Sequence, residues 1–385
     1  MIFDINTKQL KSYIGKFEKL FVSSVAGKWD AVLKVTADKD TGRVKFEAAE
    51  KGCYVRITIP AVVTESGTIV LASNYLVGLR IMDEITTFKV GEKQIEVTSG
   101  KFHSTLEIVA LQDTVESNKE VKSEDGVDNT FSETLTLKTK QLKDICASVL
   151  LTPQQNDPDL VTLFQISKEK GVKIAVNDHY RAAVVRSEEV EIVGDSLLEG
   201  IIPINVLTTV FDAISSTGDI ININTSGSSI HLWNDWIEFI HPFITKKRRT
   251  DPEERINSMD KSQFLLEVSF NAKEAEECVL STGSITEGIM KQDPRVSILF
   301  EGEEAKVMVK SSIGKATSSF PIKLEAGKKH EIIVSGRYMR EILSLLKSNT
   351  TLQVLGDDAV IFRGDSHKFQ VYVMPQIDKT ASQEK

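Results

Sequence analysis

Near the start of the chain apolar residues recur as Leu10, Ile14, Phe17 and Leu20. Spacings of four, three and three put them on one face of a helix. The strand-like run Ile2-Phe3-Asp4-Ile5 comes just before it. The same order returns later, where Glu133-Thr134-Leu135-Thr136-Leu137 leads into a stripe of Leu142, Ile145, Cys146 and Val149. A weaker third version has Leu265 to Phe270 as the strand and Lys273 to Leu280 as the helix. The pentapeptide Thr-Lys-Gln-Leu-Lys stands at residues 7–11 and again at 139–143, an offset of 132 residues. The same offset matches Ile14 to Cys146 and Cys146 to Cys278, so all three are expected on the buried stripe. A match of this kind points to internal duplication.

A second element repeats at nearly the same offset. Ile69-Val70-Leu71 leads into Tyr75, Leu76, Leu79 and Ile81; Ile201-Ile202-Pro203 into Val206, Leu207, Val210, Phe211 and Ile214; Ile332-Ile333-Val334 into Tyr338, Met339, Ile342 and Leu343. Two β-rich runs follow each time, parted by turn residues at Gly91-Glu92, Ser226-Gly227 and Gly356-Asp357. The pattern predicts an α+β chain of three tandem similar domains, each with two helices packed on antiparallel sheets. Their expected limits are 1–125, 130–258 and 262–378, with a disordered tail over 379–385. Units of this size can each bury a core. The acidic, polar stretch from Glu116 to Glu133 reads as a linker.

Composition narrows the function. Of 385 residues 41% are hydrophobic and 26% charged, as in a soluble globular protein. No apolar run is long enough to span a membrane, and Met1-Ile2-Phe3-Asp4 does not resemble a signal peptide, so a cytoplasmic protein without membrane contact is expected. Three widely spaced cysteines, Cys53, Cys146 and Cys278, read as buried small hydrophobes, and no pair has metal-ligand spacing. The net charge of −8 argues against a protein that merely coats nucleic acid. Yet basic residues gather on the first helices, at Lys8, Lys11, Lys16 and Lys19 and at Lys138, Lys140 and Lys143. The second helices carry Arg80 in the first unit and Arg337, Arg340 and Lys347 in the third. The third unit's first helix breaks the pattern with Glu274, Glu276 and Glu277. Lys246-Lys247-Arg248-Arg249 is the densest basic run and reads first as a solvated loop.

Catalysis finds little support. The six histidines form no compact metal motif, and no nucleophile elbow, P-loop or dinucleotide fingerprint is present. Asp178-His179 is the one suggestive acid–imidazole pair, but neighbours on a strand point to opposite faces. Neither a catalytic role, a metal nor a cofactor is expected.

Several segments carry a family resemblance. Asn177-Asp178-His179-Tyr180-Arg181-Ala182 resembles the T-D-G-H-R-L segment in the middle domain of bacterial sliding clamps, the β subunits of replicative DNA polymerase. Tyr372-Val373-Met374-Pro375 resembles the V-V-M-P that closes their third domain. Val97-Thr98-Ser99-Gly100 with Ser104-Thr105-Leu106, and Glu277-Cys278-Val279-Leu280-Ser281, look like segments of their first and third domains. Each motif is weak; their order over residues 1–378 is specific.

The resemblance implies the DNA-clamp fold, two chains joined head to tail in a dimeric ring, and double-stranded DNA threaded through it without regard to sequence. Helices would line the hole, and Lys8, Lys11, Arg80, Lys140, Lys143, Arg337 and Arg340 are its candidate DNA contacts by helix position and charge. It also implies a groove that takes a short peptide of the replicative polymerase or clamp loader. By motif position its walls would be Asn177, His179, Tyr180, Arg181 and Ala182, with Tyr372, Met374, Pro375 and Gln376, and Pro252, Arg255 and Ile256 from the inter-domain segment. Leu106 and Ile108 would meet Val279 and Leu280 across the dimer joint. The chain departs from the family at His179-Tyr180, Ala182 and the C-terminal Met374-Pro375-Gln376-Ile377-Asp378, which lacks an arginine; these changes predict a shallower, less basic groove. The alternative is a three-domain protein-binding scaffold of the same fold that does not encircle DNA.

Overall fold

Inward Phe3 and Ile5 alternate with half-buried Ile2 and Asp4 along the first strand, the period of two that marks a sheet with one face on a core. The computed structural model describes residues 1–15, 32–50, 52–72, 83–108, 133–150, 161–177, 181–188, 190–195, 197–215, 218–226, 228–243, 253, 264–290, 295–311, 314–346, 348–356, 359–364 and 369–373. The first third holds β1 (Ile2–Asn6), β2 (Val32–Asp38), β3 (Arg43–Glu50), β4 (Cys53–Pro60), β5 (Val62–Glu65), β6 (Gly67–Ala72), β7 (Ile85–Val90), β8 (Gln94–Ser99) and β9 (Phe102–Glu107). The second holds β10 (Leu135–Lys138), β11 (Val161–Ser167), β12 (Gly171–Asn177), β13 (Arg181–Ser187), β14 (Ile192–Val193), β15 (Leu198–Pro203), β16 (Ile220–Thr225), β17 (Ser229–Trp233) and β18 (Ile237–Pro242). The last holds β19 (Phe264–Asn271), β20 (Arg295–Glu301), β21 (Glu304–Ser311), β22 (Gly314–Pro321), β23 (Lys323–Gly327), β24 (His330–Ser335), β25 (Asn349–Leu355), β26 (Val360–Gly364) and β27 (Phe369–Val373). The described helices are α1 (7–15), α2 (Thr139–Leu150), α3 (Ile204–Ser215), α4 (Ala272–Met290) and α5 (Gly336–Leu346).

Among the described residues the pairing repeats every nine strands. β1 lies antiparallel between β5 and β7, β10 between β14 and β16, and β19 between β23 and β25. The register repeats as well: Phe3 faces Phe88, Leu135 faces Ile223 and Val268 faces Leu352. A duplicated sequence has kept one set of cross-strand core pairs.

The chain divides into two compact units. The first comprises Met1–Asp144, Gln165–Lys168 and Val190–Lys246, the second Ile145–Phe164, Glu169–Glu189 and Lys247–Lys385. This division cuts across the sequence repeats because strands of different repeats share sheets. In the first unit a five-stranded sheet runs β5-β1-β7-β8-β9 and a nine-stranded one β14-β10-β16-β17-β18-β4-β3-β2-β6, so β18 of the second repeat joins β4 of the first. In the second unit β13 of the second repeat joins β27 of the third within the run β12-β13-β27-β26-β25-β19-β23, beside a four-stranded sheet β22-β21-β20-β24.

Each unit has its own aromatic core. Phe3 stacks on Phe88 at 4.8 Å in the first, and Phe270 meets Phe320 at 5.3 Å in the second. Cys53 is buried, as its strand pattern predicts. His241 on β18 is also buried, its ring stacked on Phe239 and its Nδ1 2.7 Å from the Pro242 carbonyl. Burial pushes its pKa down to about 4, against the opposing pull of that carbonyl. The neutral ring therefore costs nothing above the unfolded pKa of about 6.5, and the folded state loses ground as pH falls from there toward 4. A depression of this size corresponds to stability on the order of 3 kcal/mol. Chemical denaturation of His241→Phe should lose part of the decline seen in the wild type between pH 6.5 and 4. An unchanged pH slope would acquit the histidine.

Candidate nucleic-acid and partner interfaces

The three first helices start alike. The Thr7 amide donates to the Glu84 carbonyl at 3.0 Å, Thr139 to Asp219 at 2.9 Å and Ala272 to Ser348 at 3.0 Å. Two starts are capped by asparagine, whose side-chain oxygen takes an otherwise orphaned amide. Asn6 accepts from Gln9 at 3.1 Å, and Asn271 from Lys273 at 3.0 Å and Glu274 at 3.3 Å. These anchors make Thr7, Thr139 and Ala272 equivalent, so the third helix is displaced by 133 residues from the second rather than 132.

That one-residue slip corrects two expectations. Val279, not Cys278, takes the place of Ile14 on the buried stripe: Val279 is 3% exposed, while half-buried Cys278 turns its thiol to the Ser319 carbonyl at 3.1 Å. The slip also uncovers a cation that sequence comparison missed. Lys273 stands where Lys8 and Lys140 stand, and all three are exposed. Glu276 takes the place of Lys11 and Lys143. Glu274 lies in the first turn of α4, where a carboxylate favours the helix dipole.

The remaining basic positions differ in how free their charge is. Lys8 and Lys11 are exposed on α1 beside buried Leu10 and Ile14; Phe17 and Leu20 lie outside the described residues. Lys140 and Lys143 are exposed on α2, but Lys143 Nζ sits 2.9 Å from Asp212 Oδ1 on α3. Arg337 is exposed on α5, 3.9 Å from Glu341 and with its guanidinium 5.3 Å from the Tyr338 ring, and Arg340 is half-buried. Arg80, Lys347 and Lys246 to Arg249 lie outside the described residues.

The groove candidates come from distant parts of the sequence, and the second unit brings four of them together. In the β12-β13-β27 ladder Asn177 faces Ala182, Ala182 faces Tyr372, and Arg181 faces Val373. Half-buried Ala182 packs against an apolar cluster of Ala175, Val184, Leu355, Ala359 and Ile361. Asp178, His179, Tyr180, Pro252, Arg255, Ile256, Met374, Pro375 and Gln376 lie outside the described residues. A concavity of about 430 Å³ in the same unit is elsewhere, lined by Phe270, Pro321, Ile322 and Lys323. Among the described residues no set of histidine, cysteine and carboxylate side chains is placed to hold a metal ion, and no helix is long and apolar enough to cross a membrane.

Of the residues expected at the dimer joint, Leu280 is 41% exposed, whereas Val279 is spent on the chain's own core. Leu106 is buried on β9 and Ile108 half-buried just beyond it. The strands themselves are more informative. Among the described residues β9, equivalent to the paired β18 and β27, is an edge of the first unit with no second partner, and β22, equivalent to the paired β4 and β13, is such an edge of the second. The β22 edge is braced by α4: Thr282 Oγ1 lies 2.6 Å from Ser318 Oγ, which donates to the Cys278 carbonyl at 3.0 Å.

No protein-family model and no curated protein matches the sequence. Solved structures do match, along almost the full length. The DNA polymerase sliding clamp of Bacillus subtilis is 14% identical with a TM-score of 0.77, covering 98% of this chain and 99% of that one. The β subunit of the Streptococcus pyogenes DNA polymerase is 18% identical with a TM-score of 0.73, covering 98% and 100%. The Helicobacter pylori β clamp, solved bound to a DNA ligase peptide, is 13% identical with a TM-score of 0.74, covering 98% and 100%. The chain has the sliding-clamp fold, as the resemblance of its motifs implies.

Proposed function

We propose that the chain is a DNA sliding clamp. Two copies join head to tail into a ring, the ring encircles duplex DNA, and a peptide groove tethers the replicative polymerase, the clamp loader and other replication or repair proteins. It acts by binding and topology, without catalysing a reaction, in the cytoplasm. The three repeats act as three domains, 1–125, 130–258 and 262–378.

The strand order carries this reading. Each repeat offers one strand from its β4-type edge and one from its β9-type edge. Two such pairs are made within the chain, β4 with β18 and β13 with β27. Among the described residues the third pair, β22 with β9, is left open at both ends of the series. A second copy supplies the missing partner, and a heterologous joint that closes gives a ring rather than a fibre. Exposed Lys8, Lys140 and Lys273 give all three repeats a cation for phosphates, which lets an acidic protein hold DNA without reading its sequence. That common lysine favours the encircling clamp over the non-encircling scaffold.

Loading onto a nicked circular plasmid by the cognate loader tests it. The clamp should stay with the circle through gel filtration and be lost when a restriction cut provides free ends. Retention on linear DNA, or no retention on the circle, would leave the scaffold reading.

A further inference from the structure

Eight large apolar side chains are exposed among the described residues, and four of them stand at two repeated positions. On the first repeat Val62 faces Asp4 across β5 and β1, and Ile85 faces Asn6 across β7 and β1. On the second, Val193 faces Thr136 and Ile220 faces Lys138, in the same register and 132 residues on from Asp4 and Asn6. Their exposures are 69% and 57% in the first pair and 69% and 51% in the second. An outward apolar side chain adds nothing to its own core, so a pair kept in two diverged copies marks a surface that something else covers. The third repeat has lost the pair: Lys323 faces Ser269 and Asn349 faces Asn271.

The charge between the two apolar residues decides what could cover them. On the second repeat it is the cation Lys138, paired with Glu191. On the first, Asp4 stands between Val62 and Thr87 and takes the Thr87 hydroxyl at 2.6 Å. That bond fixes the carboxylate and leaves it acceptor capacity for a cation. Val62 and Ile85 line a concavity of about 410 Å³ together with Pro60, Ala61, Asp4 and Glu84. The charged residues of its described lining are both carboxylates. Arg43, opposite Pro60, turns its guanidinium over the Trp236 ring, 5.0 Å from the ring centre.

Strands lie about 4.8 Å apart and rise about 3.4 Å per residue, which puts Val62 and Ile85 roughly 12 Å from each other across β1. Residues i and i+4 of an extended peptide share a face and span about 13 Å, with i+2 between them. We propose that this groove docks a short extended peptide with apolar anchors at i and i+4 and a lysine or arginine at i+2. Val62 and Ile85 supply apolar contact to the anchors. Asp4 and Glu84 supply the charge that sets the register and favours a basic peptide over an acidic one.

The site uses none of the β13–β27 groove candidates, so it holds or fails apart from that reading. The full-length protein is titrated with fluorescein-labelled, C-terminally amidated Leu-Thr-Lys-Thr-Leu, and with Leu-Thr-Glu-Thr-Leu as the second probe, and anisotropy is read. The lysine peptide should bind saturably, and the glutamate peptide about tenfold more weakly or worse. Val62→Ser with Ile85→Ser should weaken the lysine peptide by about tenfold or more, the scale of one lost apolar anchor. Both side chains are exposed, so this double variant should melt near the wild-type temperature. Glu84→Lys should narrow or invert the preference between the two peptides. No saturable binding of the lysine peptide, equal affinity of the wild type for both peptides, or wild-type affinity in the double variant overturns the proposal. So does a change of oligomeric state in the double variant, which would make the pair a contact between copies of this chain.

Discussion

Thr105→Pro should turn the proposed dimer into monomers while leaving each monomer folded. The Ile108 amide donates to the Lys93 carbonyl, which makes 93 and 108 a hydrogen-bonded pair of the β8–β9 ladder. Such pairs alternate in an antiparallel ladder, so Ser104, opposite Val97, bonds inward to β8, and Thr105, opposite Glu96, turns its amide to the open edge. Proline at 105 removes an outward donor and spares the ladder. A lost hydrogen bond plus a ring clash at the joint, about 2–3 kcal/mol, raises the dimer dissociation constant roughly 30- to 150-fold. Sedimentation at micromolar concentration should read a monomer whose melting temperature is near that of the wild type. Ser104→Pro is the control, since it breaks the ladder inside the sheet and should lower the melting temperature. Leu280→Asp attacks the opposite side of the joint through a residue that is 41% exposed, and it should weaken the dimer too. A dimer that survives Thr105→Pro would put the joint elsewhere.

The parts of this molecule that could be read from its sequence are those set by local pattern. The strands around Phe3, Leu135 and Leu266 and the helices after them follow from periodicity and a literal repeat. That the groove candidates Ala182 and Tyr372 belong together was legible only through resemblance, because they are neighbours in the sheet but 190 positions apart in the chain, a contact that no local rule predicts. The assignment of Cys278 to the stripe failed because one residue was added between the second and third helices, and a helix moves each side chain by about 100° per residue. Cysteine and valine both suit a core, so composition did not expose the slip. The caps could have: Asn6 and Asn271 each stand immediately before a helix, and aligning them pairs Lys8 with Lys273. The open edges were not legible at all, because strand order is a property of the assembled sheets.

The recovered lysine leads to the second large effect. Replacing Lys8, Lys140 and Lys273 together with glutamine should weaken DNA binding and flatten its salt dependence. Each lysine that neutralises one phosphate contributes about 0.9 to the slope of log K against log salt, so six in a dimer would remove about 5. At low salt that corresponds to a loss of several orders of magnitude for binding that does not depend on ring closure. The proposed ring should still be retained on circular DNA, because in that reading linkage rather than affinity holds it there; the same variant on linear DNA should not bind measurably. Asp212→Asn is the reciprocal change. It releases Lys143, now held at 2.9 Å, and removes a negative charge from the same surface, so DNA affinity should rise. Fluorescence anisotropy on duplex DNA across a salt series measures both. If the triple variant keeps the wild-type slope, these helices do not face DNA, whatever the ring encloses.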